Sequence, residues 1–142
     1  MDTLKAFLSS PSRNHIVITN GCIDGLKYMD VGLEISIFVE DKLGDRRLSM
    51  RTQDYLNTKL RSHISHSEDF GEYIALKNLG ILFEPLLKIN IEGFLDRWSQ
   101  NMILFLDIGK SVISDNFFFL SKGCSSKYTV SLEGLNYIVI PL

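Results

Sequence analysis

Cysteine is scarce in this chain, and the two present, Cys22 and Cys124, stand alone. Neither has a CxxC partner, and no second pair exists to frame a disulfide scaffold or a zinc site. Both are expected to be reduced thiols packed in the core. Histidine is almost as rare: His63 and His66 lie three apart beside the polar loop that holds Glu68 and Asp69, and His15 is distant. A solvated helix end accounts for the pair better than a ligand set, so no metal is expected. No apolar run approaches the ~20 residues of a membrane span. The opening MDTLKAFLSSPSR also lacks the unbroken apolar stretch of a secretory leader, and a cytoplasmic setting without membrane contact is expected. Charge of one sign is lacking too. A net charge of −2 excludes a chain whose main work is gripping phosphate backbones, leaving a local basic patch as the route to nucleic acid.

What is present is ordinary globular material: 142 residues, 45% of them hydrophobic and 23% charged, enough for one domain spanning residues 1–142. Asp2 to Ser9 carries Leu4, Phe7 and Leu8 on one helical face. His15 to Thr19, with Ile16, Val17 and Ile18 in a row, is too apolar for a half-exposed edge and suits the middle of a covered sheet. Lys27 to Asp30 is a second strand candidate. It follows too closely for a crossover between adjacent parallel strands, so the two are antiparallel or they are parallel without being neighbours. Leu33 to Leu43 is ambiguous. Alternation of Leu33, Ile35 and Ile37 favours a strand, whereas the stripe Leu33, Ile37, Phe38 and the closing Gly44 favour a helix.

Thr52 to Ile64 reads as a helix, with Thr52 as N-cap and Tyr55, Leu56, Leu60 and Ile64 along one side. Ser65 to Gly71 reads as loop. Tyr73 to Leu76 is a strand that ends in the polar pair Lys77-Asn78, and the apolar run after it stops at Glu84-Pro85. Leu86 to Asn90 links to a helix over about 91–100 that buries Phe94, Leu95 and Trp98. Met102 to Leu106, Phe117 to Leu120 and Tyr137 to Ile140 complete the strand candidates. Short covered strands alternating with helices define an α/β fold, a three-layer sandwich around a mostly parallel sheet.

Few motifs carry chemistry. Gly109-Lys110-Ser111 follows a strand as half a phosphate loop would, but the required glycine five positions earlier is Leu104, inside the strand, and an ordinary turn is the plainer account. Asn20, Gly21, Gly25 and Lys27 follow the first strand, where such a loop belongs. Their spacing is too short, and no Ser or Thr follows Lys27 to hold magnesium. Arg46, Arg47, Arg51 and Arg61, with Lys59, form a basic stretch interleaved with Asp41, Asp45 and Asp54. That pattern is a solvated charged face by default and a nucleic-acid contact as the alternative.

From Val31 to about Asp107, the segments VGLEISIFVEDKL, TQDYLNTKL and LKNLGILFEPLLKINIEGFLDRWSQNMILFL resemble the small P-loop proteins called BrxF, from bacterial BREX phage-defence clusters. The resemblance implies a P-loop NTPase type of fold. The first strand should feed the phosphate loop, Tyr73 to Leu76 should carry the magnesium-side acid, and Leu33 to Leu43 should be helical. It also implies damage. Lys77 occupies the position of the family's aspartate, where a cation repels Mg²⁺, and the glycine-rich loop with its following helix is missing after Thr19.

The expected function is therefore a non-catalytic, P-loop-like scaffold without a cofactor, acting through an unidentified protein partner in a defence or mobile-element system. Helix surfaces near Tyr55 and Trp98 are the expected contact. The enzyme alternative is a small NTPase that binds ATP or GTP with Mg through Asn20, Gly21, Gly25, Lys27, Lys77 and Asn78. The remaining alternative is a nucleic-acid accessory using Arg46, Arg47, Arg51 and Arg61.

Overall fold

The computed structural model describes residues 2–109, 112–114, 117–119, 129–132 and 134–142. At its centre Ile16–Thr19 forms β1, buried at every position because strands flank both of its edges and packed layers cover both of its faces. Ile103–Asp107 (β5) runs along one edge in the register Ile16↔Leu104 to Thr19↔Asp107. Tyr137–Ile140 (β9) runs along the other, from Ile16↔Tyr137 to Thr19↔Ile140. Gly71–Lys77 (β4) lies outside β5 with Leu76 opposite Leu106. Tyr28–Asp30 (β2) lies outside β4 with Asp30 opposite Lys77. These five strands are parallel, in the order β2-β4-β5-β1-β9. Ser65–Ser67 (β3) pairs antiparallel with the start of β4 and completes a six-stranded, mostly parallel sheet. Val112–Ser114 (β6), Phe117–Phe119 (β7) and Thr129–Ser131 (β8) form a separate antiparallel sheet, of which the sequence pattern marks β7 alone.

Period-two alternation divides the strand side chains between two cores. Ile16, Ile18, Met29, Ile74, Leu76, Leu104 and Leu106 face three helices, Val31–Val39 (α2), Leu48–Ser62 (α3) and Ile91–Ser99 (α4), together with the 3₁₀ turns Leu79–Phe83 and Pro85–Leu87. Val17, Tyr73, Ala75, Ile103 and Phe105 face a thinner layer made of helix Asp2–Ser9 (α1), through Leu4, Phe7 and Leu8, and of the β1–β2 connection, through Ile23 and Leu26. Each fully buried Ile or Leu contributes about 1.5–3 kcal/mol relative to exposure, so the heavier layer dominates stability. The α/β fold with a mostly parallel sheet agrees with the sequence expectation, and helices on both faces are compatible with three layers.

A polar joint links the amino end of β1 to α4. The Asn14 side chain is fully buried and donates to Ser99 Oγ at 2.9 Å, to Asp96 Oδ1 at 3.0 Å and to the Asp96 carbonyl at 3.2 Å. Asp96 also pairs with Arg13. The Asn14 and Arg13 donors together hold the Asp96 carboxyl below its usual range.

Three expectations need correction. Thr52 is not an N-cap: α3 begins a turn earlier at Leu48, and Thr52 sits inside it, fully buried on the stripe Leu48, Thr52, Leu56, Leu60. Ser65 to Gly71 is not plain loop, since β3 and the start of β4 close a small hairpin there. Leu33 to Leu43 is helical only to Val39, after which the chain turns. The two strands at His15–Thr19 and Lys27–Asp30 take the second of their two alternatives, parallel and not adjacent, with β5 and β4 between them. Lys110, Ser111, Leu120 and Cys124 lie outside the described residues.

Candidate functional site

Register brings the ends of four strands into one polar row. Asp30 is opposite Lys77, Asp107 is opposite Thr19, and the step beyond the Leu76–Leu106 pair sets Lys77 beside Asp107. Asp30, Lys77, Asp107 and Thr19 thus cross the carboxyl edge of the sheet in order. Alternation turns Lys77, Asp107 and Thr19 away from the α2–α4 layer, toward the β1–β2 connection. The carboxyl edge is where an open α/β sheet presents its chemistry.

One of these residues and a neighbour are bound into a helix start. Asp30 N-caps α2: its Oδ1 accepts from Leu33 N at 2.9 Å and from Asn78 Nδ2 at 2.8 Å. Those donors, the amide of Leu33 foremost, hold the Asp30 carboxyl below its usual range. Asn78 reaches Asp30 from a left-handed backbone at φ 57°, a conformation Asn tolerates better than most residues. Its amide lies against Gly32, where a Cβ would be 2.3 Å from Nδ2. Gly32 is required by this close approach and not by a turn.

The other half of the row meets the connection of eight residues, Asn20 to Lys27, that carries the chain from β1 to β2 without a helix. Cys22 is exposed in it, contrary to the expected core position, because the connection lies outside the sheet edge. Cys22 Sγ is 3.4 Å from Asp107 Oδ2, and Asp107 Oδ1 accepts from Gly109 N at 2.8 Å. Partial burial first, and then the Asp107 carboxylate, push the thiol above its usual pKa, while the Lys77 charge acts in the opposite direction. Tyr28 stands close by. Its hydroxyl accepts from Ile23 N at 3.0 Å, and burial raises its pKa.

The expected nucleotide-contacting residues are distributed as follows. Asn20 is exposed, and its Oδ1 accepts from Leu142 N at 2.8 Å. Gly21 is half-buried, and Gly25 occupies an exposed turn at φ 89°. Lys27 is exposed, and its backbone N donates to Tyr73 Oη at 2.9 Å. Two amides of this connection, those of Ile23 and Lys27, are thereby turned to tyrosine hydroxyls. Lys77 and Asn78 are adjacent at the edge, Lys77 half-buried and Asn78 committed to Asp30.

The arginines do not gather. Arg46 and Arg47 precede α3, Arg51 sits in its first turn paired with Asp45, and Arg61 lies ten residues on, about 15 Å along the axis. Asp45 additionally accepts from Arg47 N at 2.7 Å, and its carboxyl is held below its usual range by that amide and by Arg51. Lys59 approaches Glu34 at 3.6 Å. His63 caps the end of α3, and His66 is exposed on β3 opposite Glu72. Among the described residues no group of three or more His, Cys, Asp or Glu could hold a metal, and no helix is long and apolar enough to cross a membrane.

Exposed large apolar side chains are spread over several elements. Tyr55 is stacked on Phe38 with ring centroids 4.1 Å apart, and Trp98 is half-buried with its indole N–H on Asn57 Oδ1. Leu33 and Ile37, one turn apart on α2, are 54% and 61% exposed.

No protein-family model matches this chain, and neither the curated proteins nor the solved structures contain a match. The Cys22–Asp107–Lys77 cluster escaped sequence reasoning because its members are far apart in the chain. The available signal was limited to Asp107 ending an apolar strand and Cys22 following another.

Proposed function

We propose that this chain is a scaffold of the P-loop NTPase type that has lost nucleotide hydrolysis and works through protein–protein contacts, in a bacterial defence or mobile-element system as its resemblance to BrxF-like proteins implies. The observation that carries the reading is the helix-free β1–β2 connection. A phosphate loop needs several amides converging on one point at a helix N-terminus. Here β1 is followed by a short crossing whose Ile23 and Lys27 amides face tyrosine hydroxyls. The strand order supports the same lineage, since β1 and β4 lie in one parallel sheet with their carboxyl ends on a common edge. Lys77 between Asp30 and Asp107 puts an ammonium where the magnesium-side acid is expected.

Thermal unfolding with and without Mg-ATP or Mg-GTP tests the reading. No change is expected at millimolar nucleotide. A site saturated at a hundred times its dissociation constant would add about 2.7 kcal/mol. Such a gain, or phosphate release abolished by Lys77→Ala, would establish the nucleotide alternative instead. For the partner, Leu33 and Ile37 are the apolar anchors. Leu33→Glu with Ile37→Glu on this exposed face is expected to preserve the circular dichroism spectrum and eliminate co-purification of the partner from the native host.

A further inference from the structure

The amino edge of the sheet, at the opposite end of the strands from the polar row, carries a cleft that the scaffold reading leaves without a role. Register lays out its floor. One step before the pairs Tyr73–Ile103 and Ile16–Leu104, Glu72 lies beside Met102 and His15 lies beside Ile103. Leu8 from the end of α1 and Phe70 from the β3–β4 turn complete the apolar walls. The cleft holds about 380 Å³, inside the ~300–1,000 Å³ of small-molecule sites. Its apolar part is set firmly: Ile103 is buried, and Phe70 packs edge-on against Phe105 with ring centroids 5.6 Å apart.

The polar groups share one character. His15 is anchored through its backbone, donating to the Ser99 carbonyl at 3.0 Å and accepting from Leu104 N at 2.9 Å, and its ring meets Phe7 edge-on. Its Nε2 lies 3.3 Å from the Ser10 carbonyl oxygen, which can only accept. Nε2 therefore carries the hydrogen, and Nδ1 of the neutral ring is an acceptor. Neither Nδ1 nor the exposed Glu72 carboxylate has a partner among the described residues. The rim amides of Gln100 and Asn101 offer both a donor and an acceptor and select neither. Two unsatisfied acceptors thus stand on β1 and β4, two strand spacings or about 10 Å apart, with the apolar side chains of β5 between them.

We propose that this cleft binds a small aromatic amine with N–H donors at both ends of an apolar body. The ammonium pairs with Glu72, the ring lies on Met102, Ile103 and Phe70, and the ring N–H donates to His15 Nδ1. An anion has no free cation to meet here, and Glu68 and Asp69 in the neighbouring turn add negative charge. The site is at the other end of the strands from the nucleotide position and rests on none of the residues of the scaffold reading, so the two fail separately.

The test titrates the full ¹⁵N-labelled chain with tryptamine at about pH 7.5 and follows the amide shifts. Saturable shifts centred on His15, Phe70, Glu72, Met102 and Ile103 are expected. The Kd should be about 2 mM or tighter, as about a dozen heavy atoms yield at ordinary ligand efficiency. Removing either polar contact should weaken binding about fivefold, the effect of one exposed ion pair or hydrogen bond. Glu72→Gln removes the first, and 1-methyltryptamine, which needs no change to the protein, removes the second. Indole-3-propionate keeps the ring, reverses the charge and should not bind. The proposal is overturned by the absence of saturable shifts at about 10 mM tryptamine, by shifts centred elsewhere, by equal affinity for indole-3-propionate, or by unchanged affinity with either the variant or the methylated ligand.

Discussion

Replacing Gly32 with alanine should destabilise this protein although it places a better helix former inside α2. Alanine in place of glycine favours a helix by about 1 kcal/mol in an exposed interior. Against this, the new Cβ would sit 2.3 Å from Asn78 Nδ2, 2.7 Å from Asn78 Cγ and 3.1 Å from the Asn78 carbonyl oxygen. Asn78 must swing away, which breaks its bond to Asp30 Oδ1. That bond is exposed and screened by solvent, so its loss costs about 1 kcal/mol, below the range for a bond to a charged group. Moving the Asn78 backbone to relieve the remaining overlap costs about 2 kcal/mol. The net is a loss of about 2 kcal/mol, read as a lower urea midpoint with unchanged slope, with Trp98 fluorescence as probe. Asn78→Gly removes the obstructing side chain and tolerates φ 57°, so in its background Gly32→Ala should cost much less. A neutral or stabilising Gly32→Ala, or strict additivity of the two changes, would refute the close approach as the reason for glycine.

Other expectations follow from the buried polar groups. Thr52 Oγ1 is buried without a hydrogen-bond partner among the described residues, so the isosteric Thr52→Val should raise stability by about 1 kcal/mol in urea unfolding; a loss would mean that the hydroxyl is satisfied. Asn14→Asp would set a second carboxylate beside Asp96, and its urea midpoint should fall more at pH 7 than at pH 4.5, where protonation relieves the repulsion. Asp96 and Asp30 have depressed folded-state pKa values, so their contribution is complete above the unfolded carboxylate pKa of about 4 and is lost as pH falls through the lower folded values. Asp96→Asn should therefore flatten the decline of stability below about pH 4 in an acid titration followed by circular dichroism.

The strands legible in the sequence were those that this sheet buries on both faces. β1 and β5 are short unbroken apolar runs, and no helix of that length could hide so completely. α1 and α4 were legible from their one-sided stripes. The start of α3 was not, because its buried stripe contains a threonine that reads as polar, and its N-cap, Arg47, makes no capping side-chain bond. β3 is Ser-His-Ser, without apolar alternation, and exists only through its register with β4. The candidate site was the least legible part. Lys77 and Asn78 were visible as the end of a strand, but their neighbours Asp30, Asp107 and Cys22 are set by strand order, which local pattern does not encode. Cys22 was misplaced for a related reason: an isolated reduced thiol reads as core unless the path of the connection is known.

The position of β1 also bears on how the chain is made. Ile16–Thr19 leaves the ribosome well before its two partners, β5 and β9, which lie far along the chain. Until they appear, a wholly apolar strand has nothing to pair with. Both pairings close long loops, which slows folding and lengthens exposure of the unpaired edge. The native contacts of β1 therefore wait for Ile103–Asp107 and Tyr137–Ile140, and a nascent chain stalled before Ile103 carries β1 as an open template for aggregation.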